Sequence, residues 1–211
     1  MKTVKSNHCV LLLKLLFLLS VFFSSFNLQA DTEFTPFTGI RTSGEFREYT
    51  TGLTLDVEDS STKGFIINYD YEPGNQLEFL YSKQSSTLRA GEAAPTNILF
   101  DVDIEYFHAG GLVLNSINEN TNSFVSAGIG MTRFSSEANG HKSNSELSMN
   151  LSGGIKKRIT NHIGFRLGLT LFGTATSTST SVFCNNGSCN IHFKGRFYTQ
   201  FEASAGLVFR F

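Results

Sequence analysis

The feature that most constrains the fold is an alternation of apolar and polar side chains with a period of two residues. It is clearest at the end of the chain, where Phe201, Leu207, Phe209 and Phe211 share one face and Arg210 lies on the other. Successive side chains of a β-strand point to opposite faces, so this period predicts strands with two chemically different faces. Seven further segments carry the pattern, near 37–47, 65–70, 77–81, 98–114, 124–134, 147–156 and 163–171. We therefore predict an all-β chain of eight antiparallel strands.

The first thirty residues differ from the rest and predict a secretory signal peptide. Residues 1–30 hold three lysines and no acidic residue, an apolar run over 15–23, and a small residue at Ala30. A positive start, a short apolar run and a small residue for cleavage are the layout of such a peptide. The alternative is an uncleaved anchor helix, but the run is shorter than the ~20 residues of a bilayer span. The mature domain is then 31–211.

Charge argues against a nucleic-acid partner. Without residues 1–30 the chain keeps 14 Lys and Arg against 18 Asp and Glu, a net charge of −4. Nucleic-acid binding requires a basic patch or stripe, which this sequence does not have. The mature region also lacks an apolar run long enough for a transmembrane helix, whereas hydropathy detects transmembrane β-strands poorly because their faces alternate.

The connections between the predicted strands alternate between long and short. Long connections are predicted at 48–62, 85–97, 135–143 and 175–195, and short ones at 72–74, 115–121 and 160–161. Transmembrane barrels place short turns on the periplasmic side and long loops outside. An even number of strands then leaves both termini periplasmic. The pattern predicts an eight-stranded transmembrane β-barrel in the bacterial outer membrane.

A soluble eight-stranded barrel of the lipocalin kind is the competing fold, since alternation does not say which face is inside. Lipid is favoured because one face is apolar over many strands and the other carries charges. We expect those charges to form a paired network in the lumen, because an isolated buried charge is costly. The predicted members are Glu78, Asp101, Asp103, Glu105, Lys156, Arg166, Glu202 and Arg210.

Two cysteines of the mature region predict a disulfide in the longest loop. Cys184 and Cys189 are an even pair in an exported chain, which meets an oxidising compartment. The sharper alternative is a metal site with His192, but the spacing is not that of a C-x2-C motif. The acidic run 101–105 stands in a row along one strand and does not surround a cation. We expect no metal and no cofactor.

The final strand, with its terminal Phe, resembles that of the small outer-membrane barrels of the OmpA and OmpX kind. The resemblance implies that Phe201, Leu207, Phe209 and Phe211 are the signal read by the outer-membrane assembly machinery, with periplasmic chaperones as further partners. It also implies an integral barrel in contact with outer-membrane lipid. The asymmetry of the loops predicts contact with lipopolysaccharide, and a closed eight-stranded barrel needs no partner, so we expect a monomer. The resemblance supplies no biochemical activity.

Three functions remain open from the sequence. The first is a structural or surface-interaction barrel whose loops meet lipopolysaccharide or other surfaces. The second is a narrow channel for small solutes. The third, an enzyme acting on lipid A, needs a His with a Ser and an acid. Among His108, His141, His162 and His192, only His108 lies in a predicted strand, and no Ser adjoins it in sequence, so we predict no enzyme.

Overall fold

The alternating segments form long antiparallel strands in the computed structural model. It describes residues 32–43, 46–47, 54–57, 59–90, 98–136, 144–175, 184–185, 188–189 and 197–211. The strands there are β1 (Thr32–Ser43), β2 (Phe46–Arg47), β3 (Thr54–Val57), β4 (Ser60–Glu72), β5 (Asn75–Ala90), β6 (Ile98–Asn118), β7 (Thr121–Ser136), β8 (Asn144–Arg158), β9 (Ile163–Ala175), β10 (Cys184–Asn185), β11 (Ser188–Cys189) and β12 (Phe197–Arg210).

Within these described residues, eight strands close into one antiparallel barrel, which confirms the predicted fold class. Their order around the barrel is β1, β4, β5, β6, β7, β8, β9 and β12, and β12 pairs with β1 to close the ring. The short strands β2 and β3 extend the sheet beside the C-terminal end of β5, while β10 and β11 form a separate hairpin. Closure leaves no barrel strand with an open edge.

The pairing register fixes the stagger of the barrel. A path across paired residues that starts at Glu33 on β1 passes once around the barrel and returns to β1 at Ser43, ten residues further along the strand. A stagger of this kind requires strands tilted relative to the barrel axis. An eight-stranded barrel encloses an interior that side chains can fill.

The two ends of the barrel differ. Short turns at 73–74, 119–120 and 159–162 lie at one end, and the longer connections lie at the other. Gly74 has φ 83°, as the third residue of a Pro-Gly type II turn requires. The described ends of the chain also meet at the turn end, where the Phe211 N–H donates to the Thr32 carbonyl at 3.0 Å.

Several strands are longer than the sequence predicts. The first begins at Thr32, not near position 37, and Phe46–Arg47 is a separate strand. β6 spans 21 residues. The predicted long loop from position 85 is therefore shorter, because β5 continues to Ala90.

The barrel is apolar outside and polar inside. Outward aliphatic and aromatic side chains are broadly exposed, with Leu169 69% exposed, whereas the inward Arg41 is fully buried. Among the described residues, no helix is both long and apolar enough to cross a membrane.

Candidate functional site: the ion-paired lumen

A cluster of charges near the turn end, here called the lower cluster, centres on Glu33. Lys156 Nζ lies 2.6 Å from Glu33 Oε2, and Arg210 Nη2 lies 2.6 Å from Glu33 Oε1. Lys156 also donates to Gln76 Oε1 at 2.7 Å and to Asn68 Oδ1 at 3.3 Å. The buried ammonium therefore has a counter-ion and two further acceptors, which a charge out of water requires.

A second ion pair adjoins the lower cluster. Arg166 Nη1 lies 2.8 Å from Glu78 Oε2, and both side chains are about 95% buried. The same carboxylate accepts from Asn68 Nδ2 at 3.0 Å and from Ser126 Oγ at 2.8 Å. The Arg166 guanidinium lies 4.1 Å from the centroid of the Phe124 ring, within cation–π range.

A third ion pair, the upper pair, lies nearer the loop end. Arg41 donates to Glu202 Oε2 from Nη2 at 2.6 Å and from Nε at 3.1 Å. Ser82 Oγ donates to the same oxygen at 2.8 Å. Arg41 also lies over Tyr106 and Phe172, with its Cζ 4.8 and 4.9 Å from the two ring centroids.

Aromatic and amide side chains fill the lumen around the upper pair. Tyr106 and Phe172 stack with centroids 4.1 Å apart. The Tyr106 hydroxyl donates to Gln200 Oε1 at 2.7 Å, and Gln200 Nε2 donates to Gln84 Oε1 at 3.0 Å. All four are fully buried, so large side chains occupy this level of the barrel.

The structure gives His108 a neighbour that the sequence did not reveal. Its Nε2 lies 2.8 Å from Ser148 Oγ, because both residues are register partners of Gly130 on the intervening strand β7, which has no side chain to separate them. However, Nδ1 has no hydrogen-bond partner among the described residues, and both side chains are buried. A nucleophilic serine needs a base oriented by a third group and open to substrate, and this pair has neither feature in the described part of the chain.

The prediction that Asp103 and Glu105 point into the lumen is wrong. On β6 the inward residues at this level are Ile104 and Tyr106, which are 1% and 0% exposed. Asp103 instead pairs on the outer surface with Lys83 at 2.7 Å, and the Tyr81 hydroxyl donates to Glu105 Oε1, also at 2.7 Å. The side chain of Asp101 lies outside the described residues.

The physical reason is the length of β6. A transmembrane strand needs only ~9–11 residues to cross the bilayer, and β6 has 21. Its loop-proximal half therefore extends towards the polar zone, where an outward charge meets water or headgroups and the inward side can be apolar.

The structure brings together the other predicted members of the lumen network. Glu78, Lys156, Arg166 and Glu202 are buried and Arg210 is partly buried, and each makes an ion pair. Two essential partners, Glu33 and Arg41, were missed because they lie on β1, whose alternation is the least regular. The sequence pattern that could have identified them is the alternating series of positions 33, 35, 37, 39 and 41, all of which face the lumen.

The residues of the predicted assembly signal lie along β12 and directly after it, and the two predicted disulfide cysteines lie in the last long connection. Phe201, Leu207 and Phe211 are exposed on the outer surface, and Phe209 is half-buried there. Cys184 and Cys189 are directly paired across the β10–β11 hairpin. In the part of the chain that is described, no group of three or more His, Cys, Asp and Glu side chains is placed to hold a metal ion.

Sequence comparison identifies no relative, whereas structural comparison identifies the fold. No protein-family model and no curated protein matches the chain. Neisserial surface protein A matches with a TM-score of 0.56 at 11% identity, over 86% of this chain and 97% of that one. Outer membrane protein OprG from Pseudomonas aeruginosa gives 0.54 at 10% identity, over 86% and 95%. Outer membrane protein AlkL in lipid bilayers gives 0.56 at 12% identity, over 86% and 90%.

These similarities define the class of fold. The chain has the eight-stranded closed barrel of the small outer-membrane proteins. At 10–12% identity the likeness concerns the fold alone, and it does not single out an OmpA- or OmpX-like family.

Proposed function

We propose that this chain is an integral barrel of the bacterial outer membrane with a structural or surface-interaction role. The observation that carries the proposal is the reversed distribution of polarity described above. Residues such as Ile129, Leu147 and Leu169 are about 70% exposed on the outside, while ion pairs occupy the inside. Water disfavours an apolar surface of this extent, but lipid favours it. In this proposal residues 1–30 are removed as a signal peptide and 31–211 form the barrel.

We further propose that the long connections face the cell exterior and that the turns and both termini face the periplasm. The asymmetry of connection lengths supports this orientation. The loops would contact lipopolysaccharide or other surfaces, and the barrel, with its edges paired, would be a monomer. The outward Phe201, Leu207 and Phe211 are accessible for recognition of β12 by the assembly machinery and its chaperones.

The filled lumen favours a structural role over solute transport. Tyr106, Phe172 and Arg41 are all fully buried at one level of the barrel. Their contacts with each other and with Glu202 form a layer of packed side chains across the interior. A solute has to displace this layer to pass.

A narrow hydrated conduit is the second candidate. Arg41 Nη1, His108 Nδ1 and Asn150 Oδ1 are buried without a hydrogen-bond partner among the described residues, and buried polar groups of this kind usually bind water. A cavity of about 70 Å³ also opens at the turn end beside Glu33 and Lys156. In a planar bilayer, conductance steps that change in Glu202→Ala and not in the outward control Glu105→Ala would support the conduit. Folded protein that gives no steps would refute it.

The test of the main proposal is heat-modifiability of the outer-membrane fraction. A closed barrel resists SDS in the cold because its backbone hydrogen bonds are complete within the ring. We expect a mobility shift on boiling, with the protein in that fraction. Recovery as a soluble periplasmic protein without a shift would refute the proposal. The proposed orientation has its own test, which is proteolysis of intact cells. We expect cleavage in 91–97, 137–143 or 176–196, whereas cleavage at 73–74 or 159–162 would show that the barrel has the opposite orientation.

We also propose a disulfide between Cys184 and Cys189. Directly opposed residues of an antiparallel pair have Cα atoms about 4.5–5.5 Å apart, which lies within the 4.4–6.8 Å span of disulfides. The pairing of the two residues across the hairpin supports the bond. It would hold together the hairpin within the last long connection.

A further inference from the structure

A row of charged side chains crosses four neighbouring strands on the outer surface near the loop end. Lys63 on β4 is directly paired with Lys83 on β5. Lys83 is paired with Glu105 on β6, and Glu105 with Arg133 on β7. Like charges directly opposite each other destabilise a sheet, and Asp103, which accepts from Lys83, offsets one of the two lysine charges. We name Lys63, Lys83, Glu105 and Arg133 the charged row.

Among the described residues, the acidic groups nearby balance the row only in part, because three cations, Lys63, Lys83 and Arg133, adjoin two carboxylates, Asp103 and Glu105. Asp103 accepts from Lys83 at 2.7 Å, and Glu105 accepts from the Tyr81 hydroxyl at 2.7 Å. In the part of the chain that the structure describes, no hydrogen bond or ion pair joins Lys63 or Arg133 to another group. These two cations stand at the two ends of the row, and both are exposed.

An aromatic row lies one outward position closer to the turn end. Phe65, Tyr81 and Phe107 are register partners on β4, β5 and β6. Their ring centroids are 5.4 Å and 5.0 Å apart. Aromatic girdles mark the boundary between hydrocarbon and headgroups on outer-membrane barrels, so the charged row directly beyond them lies at headgroup depth.

The spacing of the two cations at the ends of the row selects the occupant. Lys63 and Arg133 lie three strand spacings apart, and neighbouring strands are about 4.8 Å apart, which gives about 14 Å. One phosphate cannot contact both ends of such a row. A headgroup with phosphates at both ends of a disaccharide can do so, with its middle over Lys83 and Glu105.

We propose that the charged row binds the diphosphorylated disaccharide headgroup of an outer-leaflet glycolipid, which is the chemistry of lipid A. The inference rests on the proposed membrane location and orientation. Arg133 presents a planar guanidinium that fits a phosphate bidentately, and Lys63 presents a point charge. Lys83 remains bound to Asp103 and lines the centre of the site.

The test is a titration of the detergent-solubilised full chain with diphosphoryl lipid A, monophosphoryl lipid A and phosphatidylglycerol. Each surface cation near an anionic membrane contributes about fivefold to affinity. We therefore expect Lys63→Gln and Arg133→Gln each to weaken diphosphoryl lipid A binding about fivefold, and the double variant about 25-fold. Lys157→Gln, an exposed lysine at the turn end, is the matched control and should bind as the unchanged protein does.

The ligands and the salt response sharpen the result. Monophosphoryl lipid A should bind more weakly than the diphosphoryl form, and added salt should reduce the difference through screening. Equal affinity for phosphatidylglycerol and diphosphoryl lipid A would overturn the proposal. So would unchanged binding by the double variant, provided that it keeps its heat-dependent gel shift. If the protein without substitutions shows no heat-dependent gel shift, the proposed function is refuted, and the proposed site is refuted with it.

Discussion

Removal of the Glu202 carboxylate tests whether the polar interior holds the barrel together. Glu202 and Arg41 have side chains that are 1% and 0% exposed, joined by two hydrogen bonds to one carboxylate oxygen. Glu202→Ala leaves the Arg41 guanidinium buried with no counter-ion among the described residues. Breaking a buried pair by removing one partner costs about 3–5 kcal/mol, and we expect the free energy of unfolding to fall by that amount.

The matched control is Asp103→Ala, which breaks an ion pair on the outer surface. Lys83 and Asp103 side chains are 29% and 20% exposed, so the pair keeps partial contact with solvent and its loss should cost less, on the order of 1 kcal/mol. The double variant Arg41→Met/Glu202→Leu removes both buried charges. It should recover most of the stability, because apolar replacement of a whole buried pair is often neutral or stabilising.

The assay is urea unfolding of protein folded into lipid vesicles. The chain contains no Trp, so circular dichroism and cold SDS-gel mobility are the appropriate measurements. Two results would refute the reasoning. One is a Glu202→Ala variant no less stable than Asp103→Ala, and the other is a double variant as unstable as Glu202→Ala alone.

Three further predictions concern packing, the lipid face and the last loop. Gly130→Ala should destabilise the barrel, since the added Cβ would overlap a carbonyl oxygen of β6. Gly153→Ala is the control and should fold normally, because its added Cβ meets its nearest atom at 3.7 Å. Loss of the fast-migrating folded band at the same temperature in both variants would contradict this. Leu169→Arg places a charge on the lipid face and should cost about 2–4 kcal/mol near the bilayer centre; urea unfolding in vesicles measures it, and no loss would argue against burial of this face in lipid. Cys184 and Cys189 should react with maleimide only after reduction, and labelling of unreduced exported protein would disprove the disulfide.

The fold was predictable from sequence because it depends on local alternation. Each strand of a barrel with one lipid face and one lumen face repeats the same two-residue pattern, so β12 alone indicates the period. The alternating lengths of the connections then indicate an up-and-down order of strands. Neither inference requires knowledge of which residues meet across the lumen.

The members of the lumen network were less predictable, because their partners depend on three-dimensional register. The stagger of ten residues sets which inward positions share a level, and the sequence does not display it. Arg41 meets Glu202 although 161 residues separate them. On β6 the alternation was identified correctly but its faces were assigned in reverse, since Asp103 and Glu105 belong to a segment beyond the lipid zone.

The sequence separation of the ion pairs has a consequence for how such a barrel enters a membrane. Glu33 pairs with Arg210 across 177 residues and with Lys156 across 123. Until β8 and β12 are in place, β1 carries a carboxylate without its counter-ions, and such a charge is very costly in hydrocarbon. A half-built barrel would therefore carry an unpaired charge into lipid, so we expect insertion to be coupled to closure, and contacts of such long range form slowly.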